Sequence, residues 1–212
     1  MQTKQTIAVI GATGKMGSAI SRNLSNGNYR LLLKANDQKK LQALISEIRS
    51  ANNEAEVEAA ECPRDASWEA DIIITDVPYH SEKELAEKIR EVANQKIVIS
   101  IANPLNVNFN GLVTSPDTSA AEKLQKLLPH SKVVKAFNTT FASDFSTPIF
   151  HGKQTDAFIT RNDEEAVQTV LELLRFVNRG VNLPAGRKLV HRELPAGNKQ
   201  TDREYISKLI NQ

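Results

Sequence analysis

Three glycines near the start of the sequence, Gly11, Gly14 and Gly17, lie between an apolar run at residues 7–10 and a segment with apolar residues at helical spacing. The run is typical of a buried parallel strand, so the pattern predicts a strand, a tight turn and a helix in that order. Glycine has no Cβ, and the N–H groups of such a turn can therefore approach a phosphate closely. The first turn of the helix adds unpaired N–H groups and a partial positive charge.

This order of elements is the context of the dinucleotide-binding fingerprint, which here has the spacing G-x-x-G-x-x-G. We therefore predict that the turn binds the pyrophosphate of a dinucleotide. The alternative is a glycine-rich turn that binds no ligand, because motif matches include false positives. The residues predicted to contact the dinucleotide here are Gly11, Ala12, Thr13, Gly14, Lys15 and Met16.

The segment after the predicted second strand reads Lys-Ala-Asn-Asp-Gln-Lys-Lys at residues 34–40. Enzymes that use NAD commonly place an acidic residue here, whereas a basic side chain accommodates the 2′-phosphate of NADP. Asp37 is predicted to start the next helix, which leaves the lysines to bind the phosphate and favours NADP over NAD. The alternative is that the lysines are a solvated helix start, since lysine is mostly exposed. The candidates are Lys34, Lys39 and Lys40, with Asn36 as a neutral donor.

Three other predicted strands end in polar or proline-containing sequences. The carboxyl ends of parallel strands meet at one edge of a sheet, where the ligands of open α/β sheets bind. Apolar residues there could form a wall for adenine or the nicotinamide ribose, and asparagines could hydrogen-bond ribose or carboxamide. The alternative is that each asparagine caps a turn and each proline ends a strand. The strand-end residues are Val77, Pro78, Asn103, Pro104, Phe137 and Asn138.

Apolar runs recur along the first 160 residues and alternate with segments of helical periodicity. The alternation predicts a doubly wound, mostly parallel sheet of the Rossmann type, in three α/β/α layers. The third run is flanked by glutamates and is expected near an edge. The predicted strands cover residues 7–10, 29–33, 57–60, 72–75, 96–101, 133–137 and 156–160.

Several connections have their own signals. Ser81 has Glu84 three residues later, which predicts a capping box at the start of a helix. Residues 62–68 are expected to form a loop. A helix is predicted to start at Asp163, with Val167, Val170, Leu171 and Leu174 facing inward.

Beyond Gly180 the periodicity weakens, because prolines and glycines interrupt it. We expect a dinucleotide-binding domain at residues 1–180. Residues 181–212 are expected to be a C-terminal extension that packs on this domain or on a dimer partner.

Composition restricts the other possibilities. The chain has 212 residues and a net charge of +2, from 27 basic and 25 acidic residues, which gives no electrostatic reason to expect nucleic acid or membrane binding. The single cysteine, Cys62, cannot form an intramolecular disulfide and fits a reducing compartment. The first predicted strand starts too early for a signal peptide, and no apolar run approaches the roughly 20 residues of a membrane span. We expect a soluble cytoplasmic protein.

No catalytic side chain or metal site is predicted. The sequence has no G-x-S-x-G or H-E-x-x-H motif, and its four histidines are widely separated. Tyr79 and Lys83 have the spacing of a short-chain dehydrogenase pair, but they come too early, just after the fourth strand. Hydride transfer between two bound cofactors needs positioning and exclusion of water more than acid–base chemistry.

Four motifs occur in a fixed order: Gly-Ala-Thr-Gly-Lys-Met-Gly at 11–17, Ala-Asp-Ile-Ile-Ile-Thr-Asp-Val-Pro at 70–78, Ile-Ala-Asn-Pro-Leu at 101–105 and Val-Val-Lys-Ala-Phe-Asn-Thr at 133–139. Together they resemble the coenzyme F420-dependent NADP oxidoreductases, a deazaflavin-linked reductase family, over roughly residues 5–178. The resemblance implies that NADPH binds to the glycine turn and the later strand ends, with nicotinamide near Ala136, Phe137 and Asn138. It also implies direct hydride transfer to a planar acceptor, and it makes a homodimer plausible.

The chain departs from the family pattern in two places. Family members usually carry Ser-Arg at the end of the second strand, where this chain has Ala35 and Asn36. Lysines would then hold the 2′-phosphate as point charges instead of a planar bidentate clamp. The region from Gly180 onward also looks unlike the family.

The sequence therefore predicts an NADP-dependent oxidoreductase that transfers hydride between NADP(H) and a small planar acceptor such as a flavin or deazaflavin. The alternative is a regulatory protein that senses NADP(H) without turnover, since the missing acid–base residue is compatible with both.

Overall fold

The computed structural model of the chain describes residues 4–106, 108, 111–115, 118–138, 149–150, 153–154, 160–161 and 163–177. Strands and helices alternate along them. The strands are β1 Gln5–Ile10, β2 Tyr29–Lys34, β3 Glu56–Ala59, β4 Ile72–Thr75, β5 Ile97–Ser100, β6 Lys132–Lys135, β7 Ile149–Phe150, β8 Lys153–Gln154 and β9 Thr160–Arg161. The helices are α1 Lys15–Leu24, α2 Gln38–Ala51, α3 Pro63–Glu69, α4 Tyr79–Ile89, α5 Ala120–Leu127 and α6 Glu164–Val177.

The main sheet has the strand order β3-β2-β1-β4-β5-β6-β9. Its first six strands pair in parallel, and β9 pairs antiparallel to β6. Strands β7 and β8 form a separate antiparallel pair. The order reverses between β1 and β4, so the crevice that binds ligands in this class of sheet opens there. The predicted doubly wound, mostly parallel fold is confirmed.

The sheet is covered on both faces, as the alternating directions of the β1 side chains show. Ile7 and Val9 pack with α1, α2 and α6 in one apolar cluster, whereas Ala8 and Ile10 pack with α3, α4 and α5 in a second cluster. Strand β4 is buried along its whole length, which agrees with its run of β-branched residues. Strand β3 lies at the edge of the sheet, as its flanking glutamates indicated.

Residues 62–68, expected to be a loop, contain a helix, and that prediction was wrong. Pro63 occupies the first position of α3, where its missing N–H costs nothing. The Cys62 sulfur caps the helix by accepting a hydrogen bond from the Asp65 N–H at 3.4 Å. A helix of 7 residues gives too short a periodic signal to be recognised in the sequence.

The capping box predicted at Ser81 and Glu84 was also wrong. Helix α4 begins at Tyr79 after Pro78, so Ser81 lies inside its first turn, and Glu84 pairs with Lys88 along the helix at 2.6 Å. A proline before the first turn had already fixed the helix start. A capping box is present instead at Ser119 and Glu122, at the start of α5.

The remaining differences are at element ends. Strand β6 stops at Lys135, because Phe137 has a φ of 62°, a conformation that does not continue a strand. In α6, Val170 is fully buried as predicted, whereas Leu171, also predicted to face inward, is only half-buried against the first cluster. Asp163 accepts a hydrogen bond from the Ala166 N–H at 2.9 Å. The side chains of Val167 and Leu174, residues 155–159 and the extension at 181–212 lie outside what the structure describes.

Over the described residues, no helix combines the length and the apolar character that crossing a bilayer requires.

Candidate dinucleotide-binding site

The glycine turn joins β1 to α1 and is held by backbone hydrogen bonds. Gly11 has a φ of 94°, in the region that favours glycine, and a Cβ at this position would lie 1.9 Å from the Asp76 carbonyl oxygen. The N–H groups of Gly11 and Ala12 donate to the Lys34 carbonyl at 2.8 and 3.0 Å, which ties the turn to the end of β2. The Gly14 N–H donates to the Gly11 carbonyl at 2.9 Å. The turn is therefore preformed.

Three N–H groups of this turn have no hydrogen-bond partner within the described residues: those of Thr13, Lys15 and Met16. Gly14 and Lys15 are exposed, and no side chain caps α1 at Gly14. Unpaired N–H groups at the start of a helix can bind an anion, and a neighbouring glycine leaves them accessible to it. The turn thus has the open donors that a pyrophosphate needs.

Sequence reasoning missed the carboxylate of Asp76, which lies against the same turn. Its Oδ2 accepts a hydrogen bond from the Gly17 N–H at 2.5 Å, and it would lie 2.7 Å from a Cβ placed on Gly14. Burial raises the pKa of the Asp76 carboxyl, and the Gly17 N–H partly opposes that rise. In the sequence, the feature that could have identified Asp76 is its position directly after β4, the strand that pairs with β1.

The end of β2 carries the residues predicted to read the 2′-phosphate. Lys34 is half-buried, whereas Asn36 and Lys39 are exposed. Asp37 is the N-cap of α2, as predicted, and accepts a hydrogen bond from the Lys40 N–H at 3.0 Å. Its other oxygen lies 3.5 Å from the Lys40 ammonium, so Lys40 already has an acidic partner. Lys34 and Lys39 have no ion-pair partner among the described residues.

The sheet order brings the predicted strand ends together on the carboxyl edge. Val77, after β4, packs against the second apolar cluster, and Pro78 is the exposed N-cap residue of α4. An apolar surface therefore follows β4, next to the glycine turn.

Asn103 and Asn138, after β5 and β6, hydrogen-bond to each other. The Asn103 side-chain amide donates to the Asn138 carbonyl at 2.9 Å, and the Asn138 amide donates to the Asn103 Oδ1 at 3.3 Å. Ala136 is fully buried and its N–H donates to the Ser100 carbonyl at 3.3 Å. The two asparagines are close, as predicted, but each side-chain NH₂ already donates one of its two hydrogens within the pair.

A second carboxylate that sequence reasoning missed lies on α4 and contacts the end of β5. Glu82 is only 4% exposed, and its Oε1 accepts a hydrogen bond from the Ser100 hydroxyl at 2.6 Å. Burial raises the pKa of Glu82, and the Ser100 hydrogen bond and the Lys135 charge partly oppose the rise. The Lys135 ammonium donates to the Ala102 carbonyl at 2.5 Å. The helical spacing of Glu82 with Leu85, Ala86 and Ile89 on the buried face of α4 was the available signal.

The described residues contain no group of three or more His, Cys, Asp or Glu side chains that could hold a metal ion.

A doubly wound parallel sheet with a glycine turn at its switch point defines a Rossmann-type dinucleotide-binding protein. Comparison with known families gives a more specific result. Residues 6–104 match the family model described as NADP oxidoreductase, coenzyme F420-dependent. The F420-dependent NADP reductase of Methanocaldococcus jannaschii is 28% identical over 177 residues, which cover 79% of this chain and 77% of that protein.

Comparison with solved structures gives a result consistent with these matches. A protein of Arthrobacter sp. FB24 described as an F420-dependent NADP reductase superposes with a TM-score of 0.69 and 25% identity, over 97% of this chain and 90% of that one. A hypothetical protein of Sinorhizobium meliloti gives a TM-score of 0.68 and 26% identity, over 84% and 83% of the two chains. These findings confirm the predicted resemblance: the chain is similar to the coenzyme F420-dependent NADP oxidoreductases.

Proposed function

We propose that this protein is an NADP-dependent oxidoreductase that transfers hydride between NADP(H) and a small planar acceptor of the deazaflavin or flavin type. The observation that carries the proposal is the preformed glycine turn, with three N–H groups that have no partner among the described residues, in a chain similar to F420-dependent NADP reductases. When bound, NADPH supplies the hydride, and the protein supplies binding and orientation.

The residues present fit a dinucleotide along the carboxyl edge of the sheet. The N–H groups of Thr13, Lys15 and Met16, which have no hydrogen-bond partner among the described residues, would hold the pyrophosphate. Lys34, at the end of β2, and Lys39, in the first turn of α2, have no ion-pair partner among the described residues and would hold the 2′-phosphate, next to Asn36.

The nicotinamide end would lie along β4, β5 and β6. Val77 and Pro78 supply apolar surface. The asparagine pair fixes the backbone that includes Pro104, Ala136 and Phe137. In this arrangement Asn103 and Asn138 act mainly by orienting that backbone. Water exclusion and alignment of the two rings would then provide the catalysis, because no acid or base is needed for a direct hydride transfer.

The proposal is tested by two measurements on the full-length protein. Isothermal titration with NADP⁺ and NAD⁺ should give at least tenfold tighter binding of NADP⁺, about 1.4 kcal/mol. Oxidation of NADPH should then be followed by absorbance with oxidised F420, flavin mononucleotide and riboflavin as acceptors. Turnover with any of them supports the oxidoreductase. Tight binding without turnover would favour the NADP(H)-sensing alternative, and binding of neither dinucleotide would contradict both.

A further inference from the structure

Asp76 places a carboxylate inside the glycine turn. The Asp76 N–H donates to the Ile10 carbonyl at 2.7 Å, and the Asp76 carbonyl oxygen fills the position that a Gly11 Cβ would take. Its side chain then reaches the first turn of α1, where Oδ2 accepts from the Gly17 N–H at 2.5 Å. Because the Asp76 backbone is held in place, its carboxylate has little freedom to move away from the glycine turn.

The position of the Asp76 carboxylate is unfavourable for a pyrophosphate bound at the same turn. A pyrophosphate would use the N–H groups of Thr13, Lys15 and Met16, and the Asp76 carboxylate already bonds to the next N–H along the same helix start. Both groups are anionic and both use the same partial positive charge of α1. An ionised Asp76 therefore opposes the ligand, whereas a protonated Asp76 does not.

The surroundings of Asp76 make protonation accessible. Burial raises its pKa, and among the described residues only the Gly17 N–H opposes this rise. The titratable side chains on the adjoining segments are Lys15 on α1, Lys34 at the end of β2, and Tyr79, His80 and Glu82 in the first turn of α4. None of these contributes a charge that compensates the carboxylate.

We propose that Asp76 is a residue that sets the affinity of the glycine turn for a dinucleotide and that it takes up a proton from solvent when the pyrophosphate binds. This inference rests on the proposed function, because it assumes that a dinucleotide occupies the turn. It adds that binding is linked to pH, with tighter binding in acidic than in alkaline solution. The aspartate thereby weakens the site at high pH.

The test is titration calorimetry of the full chain with NADP⁺ in two buffers of different ionisation enthalpy, at pH 5.5 and pH 7.5. The dependence of the heat on the buffer gives the number of protons taken up on binding. Asp76→Asn keeps an oxygen that can accept from the Gly17 N–H but cannot titrate. The wild type should take up more protons than Asp76→Asn at pH 7.5. The variant should also bind at least tenfold tighter at that pH, with a smaller difference at pH 5.5.

Asp71→Asn is the matched control, since Asp71 lies just before β4 at the opposite end of the strand and accepts a hydrogen bond from the Thr6 N–H at 2.8 Å. This variant loses the same charge outside the turn and should match the wild type in affinity and proton uptake. Asp76→Ser, which keeps a hydroxyl acceptor, is the second variant if Asp76→Asn does not fold. Thermal melts of all variants check folding.

Equal or weaker binding by a folded Asp76 variant, with unchanged proton uptake, would overturn the inference and leave Asp76 as a structural cap of α1. The proposed function would survive that result, because the wild type would still bind. Failure of both the wild type and the Asp76 variants to bind NADP⁺ or NAD⁺ at either pH would overturn the proposed function and this inference with it. Binding by the Asp76 variants alone would support the inference.

Discussion

The two halves of the carboxyl edge of the sheet are built differently. Around β1 and β2, the glycine turn presents N–H groups, and lysines lie nearby, that have no partner in the part of the chain that the structure describes. Around β5 and β6, polar side chains are paired with each other: Asn103 with Asn138, and Glu82 with Ser100. We call these the open half and the paired half. Asp76 lies between them, at the end of β4.

The difference indicates which half would supply binding energy for a dinucleotide and which half would orient it. Unpaired backbone donors gain hydrogen bonds when an anion arrives, so the open half should dominate affinity. Groups that are already paired gain little from a ligand, and they hold the backbone between β5 and β6 in place. Changes in the open half should therefore alter ligand binding, whereas changes in the paired half should mainly alter stability.

The largest effect is expected from Gly14→Asp in the open half. A Cβ at Gly14 would already lie 2.7 Å from the Asp76 Oδ2, and a second carboxylate would repel both that group and a pyrophosphate. We expect NADP⁺ affinity to fall by about a hundredfold or more, about 2.8 kcal/mol, as measured by calorimetry.

Gly27→Asp is the matched control, because Gly27 lies in the turn after the other end of α1 and has no positive φ. It should bind NADP⁺ like the wild type. Unchanged affinity in a folded Gly14→Asp protein would show that the turn does not hold the pyrophosphate.

The open half was largely predictable from sequence because backbone groups form it. The spacing of Gly11, Gly14 and Gly17 after an apolar strand specifies a turn whose donors depend little on the surrounding side chains. Asp37 at the start of α2 was predictable for the same reason, since capping is a local interaction.

Asp76 and the pair formed by Glu82 and Ser100 were not predicted, because they depend on contacts between distant segments. Glu82 and Ser100 are 18 residues apart, and Gly17 and Asp76 are 59 apart. A charged residue on a helix is exposed by default, so the burial of Glu82 conflicts with its residue type. Only its spacing with the apolar face of α4 indicated burial.

The second largest effect is expected from Ser100→Ala in the paired half. Removing the hydroxyl leaves the buried Glu82 Oε1 without this 2.6 Å hydrogen bond, and we expect the free energy of unfolding to fall by about 2 kcal/mol at pH 8. Urea denaturation measures this loss.

The pH dependence of that loss has a definite sign. Burial raises the pKa of Glu82 in the folded state, so its contribution to stability is highest at low pH and falls as the pH rises through that value. The Ser100 bond stabilises the carboxylate, and its removal should therefore cost more at pH 8 than at pH 4. In a Glu82→Gln background the cost of Ser100→Ala should not vary with pH. A loss equally large at both pH values in the wild-type background would contradict the coupling.

A smaller effect, on cofactor choice, is expected from the lysines of the open half. Replacing both Lys34 and Lys39 by alanine should weaken NADP⁺ by about tenfold, or 1.4 kcal/mol, and leave NAD⁺ nearly unchanged. Lys40→Ala is the comparison, because its ammonium lies 3.5 Å from Asp37 and is exposed, and it should change the NADP⁺ affinity less. Equal losses for NADP⁺ and NAD⁺ in the double variant would exclude these lysines as the 2′-phosphate site.

The smallest effect is expected from Asn103→Ala. This variant tests whether Asn103 contacts the dinucleotide directly or only orients the backbone. The change removes the 2.9 Å bond to the Asn138 carbonyl and the 3.3 Å bond from the Asn138 amide, and should lower the free energy of unfolding by about 1 kcal/mol. Because both side-chain NH₂ groups already donate within the pair, the dissociation constant for NADP⁺ should change by about threefold or less. Loss of more than about tenfold in affinity, with stability unchanged, would show instead that the Asn103 amide contacts the dinucleotide directly. The paired half would then contribute binding energy in the same way as the open half.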